Sequence, residues 1–279
     1  MRVFICWRGR GRAPEVIAEL TTALLQEGHE VHVGKADRAA RRFAPELVIA
    51  RYEPGDFAAA WFARRRRVPL AVFVETAPRR PPPLSDRMTW RTAGRVIAAN
   101  AGLKAAVAAL GVDAESIEIW PGGTVPERFL PSPFAPSRAS EPVVLGWFGN
   151  APGSIAAHGL VLSVIGDAVP PVRVADLIAG IDVALFPQAS AARMLDCMAA
   201  ARAIVAPDMP EVRELLAHEQ SALLFDPAED GAVLRAAARL VADPALRARL
   251  GEAARGELIR RDLTWRALAR RVVVGGGRL

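Results

Sequence analysis

Short apolar runs recur along the chain, and each is followed by a stretch with helical spacing of its apolar residues. Val3–Trp7 reads as a first strand, and Pro14–Gln26 as a helix with Pro at its start and Gly28 just past its end. Strands follow at Glu30–Val33 and Leu47–Ala50, and Asp56 can cap a helix over Phe57–Arg66. Leu70–Val74 is a fourth strand. After the proline-rich stretch 78–83 come a short helix, a strand at Arg95–Ala98, a helix at Ala101–Leu110 and a strand at Ile117–Trp120. Strands alternating with helices at this spacing predict a parallel sheet covered on both faces.

The alternation stops at 131–142, PSPFAPSRASEP, which is rich in Pro and Ser and has no periodicity. It restarts at Val143–Phe148 and continues through strands at Leu162–Ile165, Val183–Phe186, Ile204–Ala206 and Leu223–Phe225. The pattern therefore predicts an α/β protein of two doubly wound, Rossmann-like domains, 1–130 and 143–262, joined by a linker. A terminal helix near Thr264–Val273 follows several consecutive helices with no strand between, and the last residues, GGGRL, should fray.

Candidate chemistry concentrates between Ile181 and Pro227, where polar residues stand at the points where strands hand over to helices. In open parallel sheets those strand ends are where ligands bind. The helix predicted over Ser190–Ala201 puts Arg193 and Asp196 three residues apart, on one face near its start. A cation there offers a phosphate its charge beside free backbone N–H groups. A carboxylate one turn later can accept from a ribose diol, or it can pair locally with Arg193 or Arg202. This local chemistry points to a nucleoside diphosphate.

From Leu185 to Glu211 the sequence resembles the donor-binding segment of glycosyltransferase family 4, retaining enzymes with the GT-B fold. Many members carry Lys-x-x-Glu before Met-Ala, a short strand and an Asp-x-Pro-Glu-like turn. Here stand Arg193, Met194, Leu195, Asp196, Cys197, Met198, Ala199 and later Asp208, Met209, Pro210, Glu211. Trp120–Phe129 resembles the family's Pro-Asn-Gly-Val-Asp-x-x-x-Phe run, with Gly122 for Asn and Val125 for Asp. The resemblance implies two domains facing across a cleft, with the terminal helix crossing back to the first. It implies transfer of a sugar from a UDP- or GDP-sugar to a hydroxyl acceptor, with retention and without metal or cofactor. The acceptor would be a sugar, a lipid-linked molecule or a small molecule. On this pattern the donor contacts are Gly9, Gly11, Asn150, Gln188, Ser190, Arg193, Asp196 and Glu211, with Ser190 and Arg193 at the diphosphate and Asp196 at the ribose.

Several positions depart from the family. Asn150 stands where an Arg is usual, Gln188 stands where the first of two paired glutamates is usual, and His158-Gly159 stands in place of a Lys-Gly pair. A non-catalytic binding or scaffold protein of the same fold is thus an alternative reading. Glu75, in VFVETAP, falls at the strand end where members carry a His. It would serve as a catalytic base or sugar contact there, or else pair at the surface with Arg79 or Arg80.

The 279 residues suffice for two cores. Hydrophobic content of 52% and charged content of 24% are those of a soluble globular protein. Cys6 and Cys197 fall in a strand and a helix, which predicts a reducing, cytoplasmic setting with no disulfide framework. The net charge of +6 comes almost wholly from Arg, clustered at 8–12, 64–67 and 79–80. Aromatic residues are only 6%, without the interleaving that stacks bases, which excludes nucleic acid as the expected partner. Gly9 and Gly11 begin a GxGxxG-like pattern, but Pro14 takes the third glycine position. The second strand ends in Val33-Gly34-Lys35, with no acid for a ribose, so a nicotinamide enzyme is disfavoured. His29, His32 and His218 lack metal-ligand spacing. Arg64, Arg65, Arg66 and Arg67 close a helix containing Phe57, Trp61 and Phe62. That face either rests on anionic lipid or is simply solvated.

Overall fold

The computed structural model describes residues 1–8, 15–79, 81–129, 142–150, 161–166, 169 and 171–275. Gly9, Gly11, Arg80, the linker 131–141 and the His158-Gly159 pair lie outside the described residues. The chain forms two compact units, one of Met1–Pro121 with Trp265–Leu279 and one of Gly122–Thr264.

The first unit alternates strand and helix: β1 (Arg2–Cys6), α1 (Glu15–Gln26), β2 (Glu30–Gly34), α2 (Arg38–Phe43), β3 (Leu47–Arg51), α3 (Ala58–Arg66), β4 (Leu70–Val74), α4 (Leu84–Thr92), β5 (Arg95–Ala98), α5 (Ala101–Ala108) and β6 (Ile117–Ile119). The sheet is wholly parallel, in the order β2-β1-β3-β4-β5-β6. Its central strands are apolar at nearly every position because helices cover both faces, and β4 is buried throughout. The edge strand β2 is only half buried. One face packs Ala40, Phe62, Ala63, Trp90 and Val107, from α2 to α5, onto Val48, Val72 and Val96.

Helix α2 was not anticipated from the sequence. Its three arginines mask a single buried residue, Ala40, and the helix is started by Asp37, whose Oδ1 accepts from the N–H of Ala39 (2.8 Å) and of Ala40 (3.3 Å). Helix α3 begins one residue later than expected, with Phe57 rather than Asp56 at the cap. Asp56 still accepts from the N–H of Ala58 at 2.9 Å.

The second unit repeats the plan: β7 (Val144–Phe148), β8 (Val161–Ile165), α6 (Pro171–Ala179), β9 (Val183–Leu185), α7 (Ala191–Ala199), β10 (Ala203–Pro207), α8 (Pro210–Arg213), β11 (Leu223–Phe225), α9 (Ala232–Ala242) and α10 (Pro244–Arg261). Its parallel sheet has the order β11-β10-β9-β7-β8. Leu145, Val183, Leu185 and Val205 of the sheet pack against Leu240 and Leu250 of α9 and α10. The chain enters and leaves this unit side by side, since Thr124 and Thr264 form a parallel bridge and the Thr124 N–H donates to Leu263 O at 3.2 Å.

Helix α11 (Trp265–Gly275) belongs to the first unit, where it packs along α1. Ion pairs fix its register: Arg266 Nε and Arg270 Nε lie 3.0 and 2.8 Å from Glu27, and Arg271 Nη1 lies 3.2 Å from Glu118. The Arg271 guanidinium also sits 4.9 Å above the ring centre of Trp120.

Candidate functional site

In the second unit the strand order places β7 and β9 side by side, with the chain leaving β7 toward β8 and leaving β9 toward β10. Loops diverge at such a switch point and open a crevice at the carboxyl ends of the two strands. A cavity of about 310 Å³ lies there, lined among the described residues by Phe148 at the end of β7, by Gly149 and Asn150 after it, and by Gln188, Ser190 and Arg193 after β9. Phe148 stacks on Phe186 (centroids 4.5 Å apart, planes 12° apart), which stiffens the apolar base of both loops. The turn above is held by the Trp147 indole N–H, which donates to Asn150 O at 2.7 Å. Gly149 has φ +126°, a conformation that side chains rarely adopt.

Ser190 is the N-cap of α7, and its side chain makes no capping hydrogen bond. The first turn of α7 therefore meets the crevice with its hydroxyl and backbone N–H groups uncommitted to a side-chain cap. Arg193 lines the crevice, and its Nη1 donates to Asp196 Oδ2 at 3.2 Å. The other carboxylate oxygen of Asp196 accepts from Thr124 Oγ1 at 2.7 Å. Arg202, the alternative local partner of Asp196, instead donates from Nη2 to Ala179 O at 2.9 Å. Gly122 adopts φ +135°, so the position where family members carry Asn is here a backbone turn that favours glycine.

Two further predicted site residues, Glu211 and Glu75, have local surroundings of their own. Glu211 lies in the first turn of α8, after β10, and is not among the described residues lining the cavity. Near it Arg213 holds both carboxylate oxygens of Asp208, with Nη2 to Oδ2 at 2.6 Å, and these hydrogen bonds keep the Asp208 carboxyl below its ordinary pKa. Glu75 lies in the first unit, one residue after β4, and its ion pair among the described residues is with Arg51 rather than Arg79. Arg51, at the end of the neighbouring β3, brings Nε to 2.7 Å from Glu75 Oε2, a charge contact not aligned as a hydrogen bond. Adjacent strand ends put these two side chains together, which local sequence spacing does not reveal. Arg8 pairs with Asp56, Nη1 to Oδ1 at 3.0 Å.

Sequence reasoning also passed over a buried pair in the first unit. Tyr52 donates to Asp86 Oδ2 at 2.6 Å, and Asp86 Oδ1 accepts from the N–H of Gly55 at 2.8 Å. Burial, reinforced by the Asp86 carboxylate, pushes the Tyr52 phenol well above its ordinary pKa. The cysteines are unsuited to nucleophilic work. Burial and the nearby Asp56 push the Cys6 thiol up to about 12, and burial pushes Cys197 well up as well. Among the described residues, no group of three or more His, Cys, Asp or Glu is gathered at one place. No described helix is long and apolar enough to cross a membrane.

Comparison with known proteins bears on the fold. Residues 148–273 match a family model described as glycosyl transferase-like. A sequence search of curated proteins finds no match. Among solved structures, Anabaena Alr3699/HepE in complex with UDP-glucose superposes with a TM-score of 0.69 at 13% identity, covering 98% of both chains. Sucrose-phosphate synthase from Thermosynechococcus elongatus gives 0.69 at 14% identity, covering 98% of this chain and 97% of that one. UDP-GlcNAc 2-epimerase from Neisseria meningitidis, bound to UDP-GlcNAc, gives 0.57 at 12% identity over 98% and 99%. The chain thus has the GT-B architecture of two Rossmann-like units.

Proposed function

We propose that this protein is a glycosyltransferase that takes a sugar from a nucleoside-diphosphate donor and passes it to a hydroxyl acceptor. The observation that carries the reading is the position of Arg193, on the wall of the β7/β9 switch-point crevice beside the uncapped first turn of α7. A diphosphate seated there meets a guanidinium and the start of a helix whose N-cap side chain makes no capping hydrogen bond. In glycosyl transfer the departing diphosphate gains negative charge as the glycosidic bond breaks. Donors already aimed at that charge stabilise the transition state more than the ground state. Asn150, Gln188 and Ser190 add neutral hydrogen-bonding groups around the same cavity.

The family resemblance supports finer assignments: family 4 chemistry, retention at the anomeric carbon, and no metal or cofactor, the cation's task falling to Arg193. Gly9 and Gly11 would approach the donor by backbone, Glu211 would line its far side, and Glu75 would serve the acceptor hydroxyl. The exposed Trp61 and Phe57 of the α3 region, with Arg64–Arg67, would give peripheral contact with an anionic membrane. A second reading, a binding protein without catalysis, draws on the neutral Asn150 and Gln188 and on the engagement of Glu75 by Arg51.

Calorimetric titration with UDP and GDP, together with UDP release from UDP-glucose in the presence of acceptor sugars, tests the proposal. Binding of one diphosphate that weakens about 10–100-fold in Arg193→Ala, the scale of a lost charge-assisted hydrogen bond, is the expected result. Turnover unaffected by EDTA is expected with it. Binding without turnover of any donor supports the second reading, and no binding of either nucleotide overturns both.

A further inference from the structure

The carboxylate of Asp196 stands between two side chains. One oxygen accepts from Thr124 Oγ1 at 2.7 Å and the other from Arg193 Nη1 at 3.2 Å. Thr124 is only 2% exposed, and the Arg193 and Asp196 side chains are each 13% exposed. Arg193 lines the crevice, whereas Asp196 is not among the described residues that do. An arginine side chain has many rotamers, and one clamped from behind has lost them before any ligand arrives. Thr124 is itself held, because it forms an isolated bridge with Thr264 and its N–H donates to Leu263 O.

We propose that Thr124 and Asp196 are positioning residues, a partly buried relay that holds the Arg193 guanidinium toward the crevice, and that Asp196 does not itself bind the ribose. This rests on the reading of the crevice as a nucleoside-diphosphate site, and it gives Asp196 a different task from the ribose contact suggested by the sequence pattern. The relay acts on phosphate recognition alone. A ligand that keeps the ribose and base but lacks phosphate is therefore indifferent to it.

The test compares UDP with uridine, and GDP with guanosine, on the full chain by calorimetry and ligand-observed NMR. Thr124→Val removes the hydroxyl with little change of shape, Thr124→Ser keeps it, and Asp196→Asn keeps the size but not the charge. The expected result is a loss of about 3- to 10-fold in diphosphate affinity for Thr124→Val, the range of an ordinary hydrogen bond, and of about 10-fold or more for Asp196→Asn, the range of one to a charged group. Nucleoside affinity stays unchanged, and Thr124→Ser remains near wild type. In an Arg193→Ala background Thr124→Val has no further effect on diphosphate binding, because the relay then has nothing to hold. Should Asp196→Asn weaken uridine or guanosine as much as the diphosphate, or should Thr124→Val keep its effect without Arg193, the relay is overturned while the diphosphate site stands. If the wild-type protein binds neither diphosphate, the site itself falls and the relay with it.

Discussion

The same substitution at two glycines of α10 should move stability in opposite directions. Gly251 is buried, and a Cβ built on it would lie 2.1 Å from Ala201 O, 2.8 Å from Ala201 C and 3.3 Å from Arg202 C. All three are backbone atoms, so no side chain can rotate out of the way. An ordinary C···O contact is about 3.3 Å or more, so α10 has to retreat by roughly 1 Å. That retreat loosens Leu250, Ala254 and Leu258, each fully buried. The turn it presses on has little slack, because Ala201 already holds φ +53° without being glycine. Overpacking of this kind costs about 3 kcal/mol at the upper end of its usual range. The better helix propensity of Ala returns about 1 kcal/mol, leaving Gly251→Ala destabilised by about 2 kcal/mol. Gly256, five residues on and exposed, has nothing within 4 Å of its Cβ position, so Gly256→Ala keeps the propensity gain of about 1 kcal/mol. For a unit of this size the melting temperature should fall by about 4–8 °C in the first variant and rise by about 2–4 °C in the second. Differential scanning calorimetry, with urea unfolding as the equilibrium check, reads both shifts. A Gly251→Ala protein as stable as wild type, or two variants shifting the same way, would refute the steric argument.

Three further outcomes are expected. Hydrogen bonds from Arg270 and Arg266 hold Glu27 below the ordinary glutamate pKa, so the anchoring of α11 is fully present above that range and is lost as pH falls through the lowered value. Glu27→Gln should abolish this acid dependence, and amide exchange of α11 between pH 7 and acid reads it. Tyr52→Phe leaves a buried Asp86 oxygen without its 2.6 Å donor and should cost the first unit about 1–3 kcal/mol in chemical denaturation; an unchanged midpoint counts against a stabilising role for the pair. Reversing Arg64–Arg67 to Glu should eliminate cosedimentation with phosphatidylglycerol vesicles. Equal binding of the wild type to neutral phosphatidylcholine vesicles would dismiss the electrostatic contact with lipid.

The strands were legible because a parallel sheet covered on both faces demands unbroken apolar runs, as in Leu70–Val74 and Ala203–Pro207. Ser190 and Arg193 drew notice for a related reason, since strand ends announce where loops diverge and both follow β9, on the way into and within α7. Helix α2 was not, because one buried Ala40 among arginines leaves almost no periodic signal. Pairings set by the sheet or by tertiary return were also silent. Arg51 meets Glu75 because β3 lies beside β4, and Thr124 reaches Asp196 across 72 residues of chain. The return of the terminal helix was an expectation of the family resemblance alone, for nothing local in Trp265–Gly275 names Glu27 as its partner.

The adjacency of Thr124 and Thr264 makes the second unit a continuous insertion into the first. The first unit begins to emerge from the ribosome early, yet the helix that packs along α1 is translated only after the whole insertion. Until then α11 does not exist to meet α1, and the side of α1 that it covers waits through more than a hundred codons. Arrest of translation near Thr264 would leave the insertion with its full complement of residues and the earlier-made unit without its last helix.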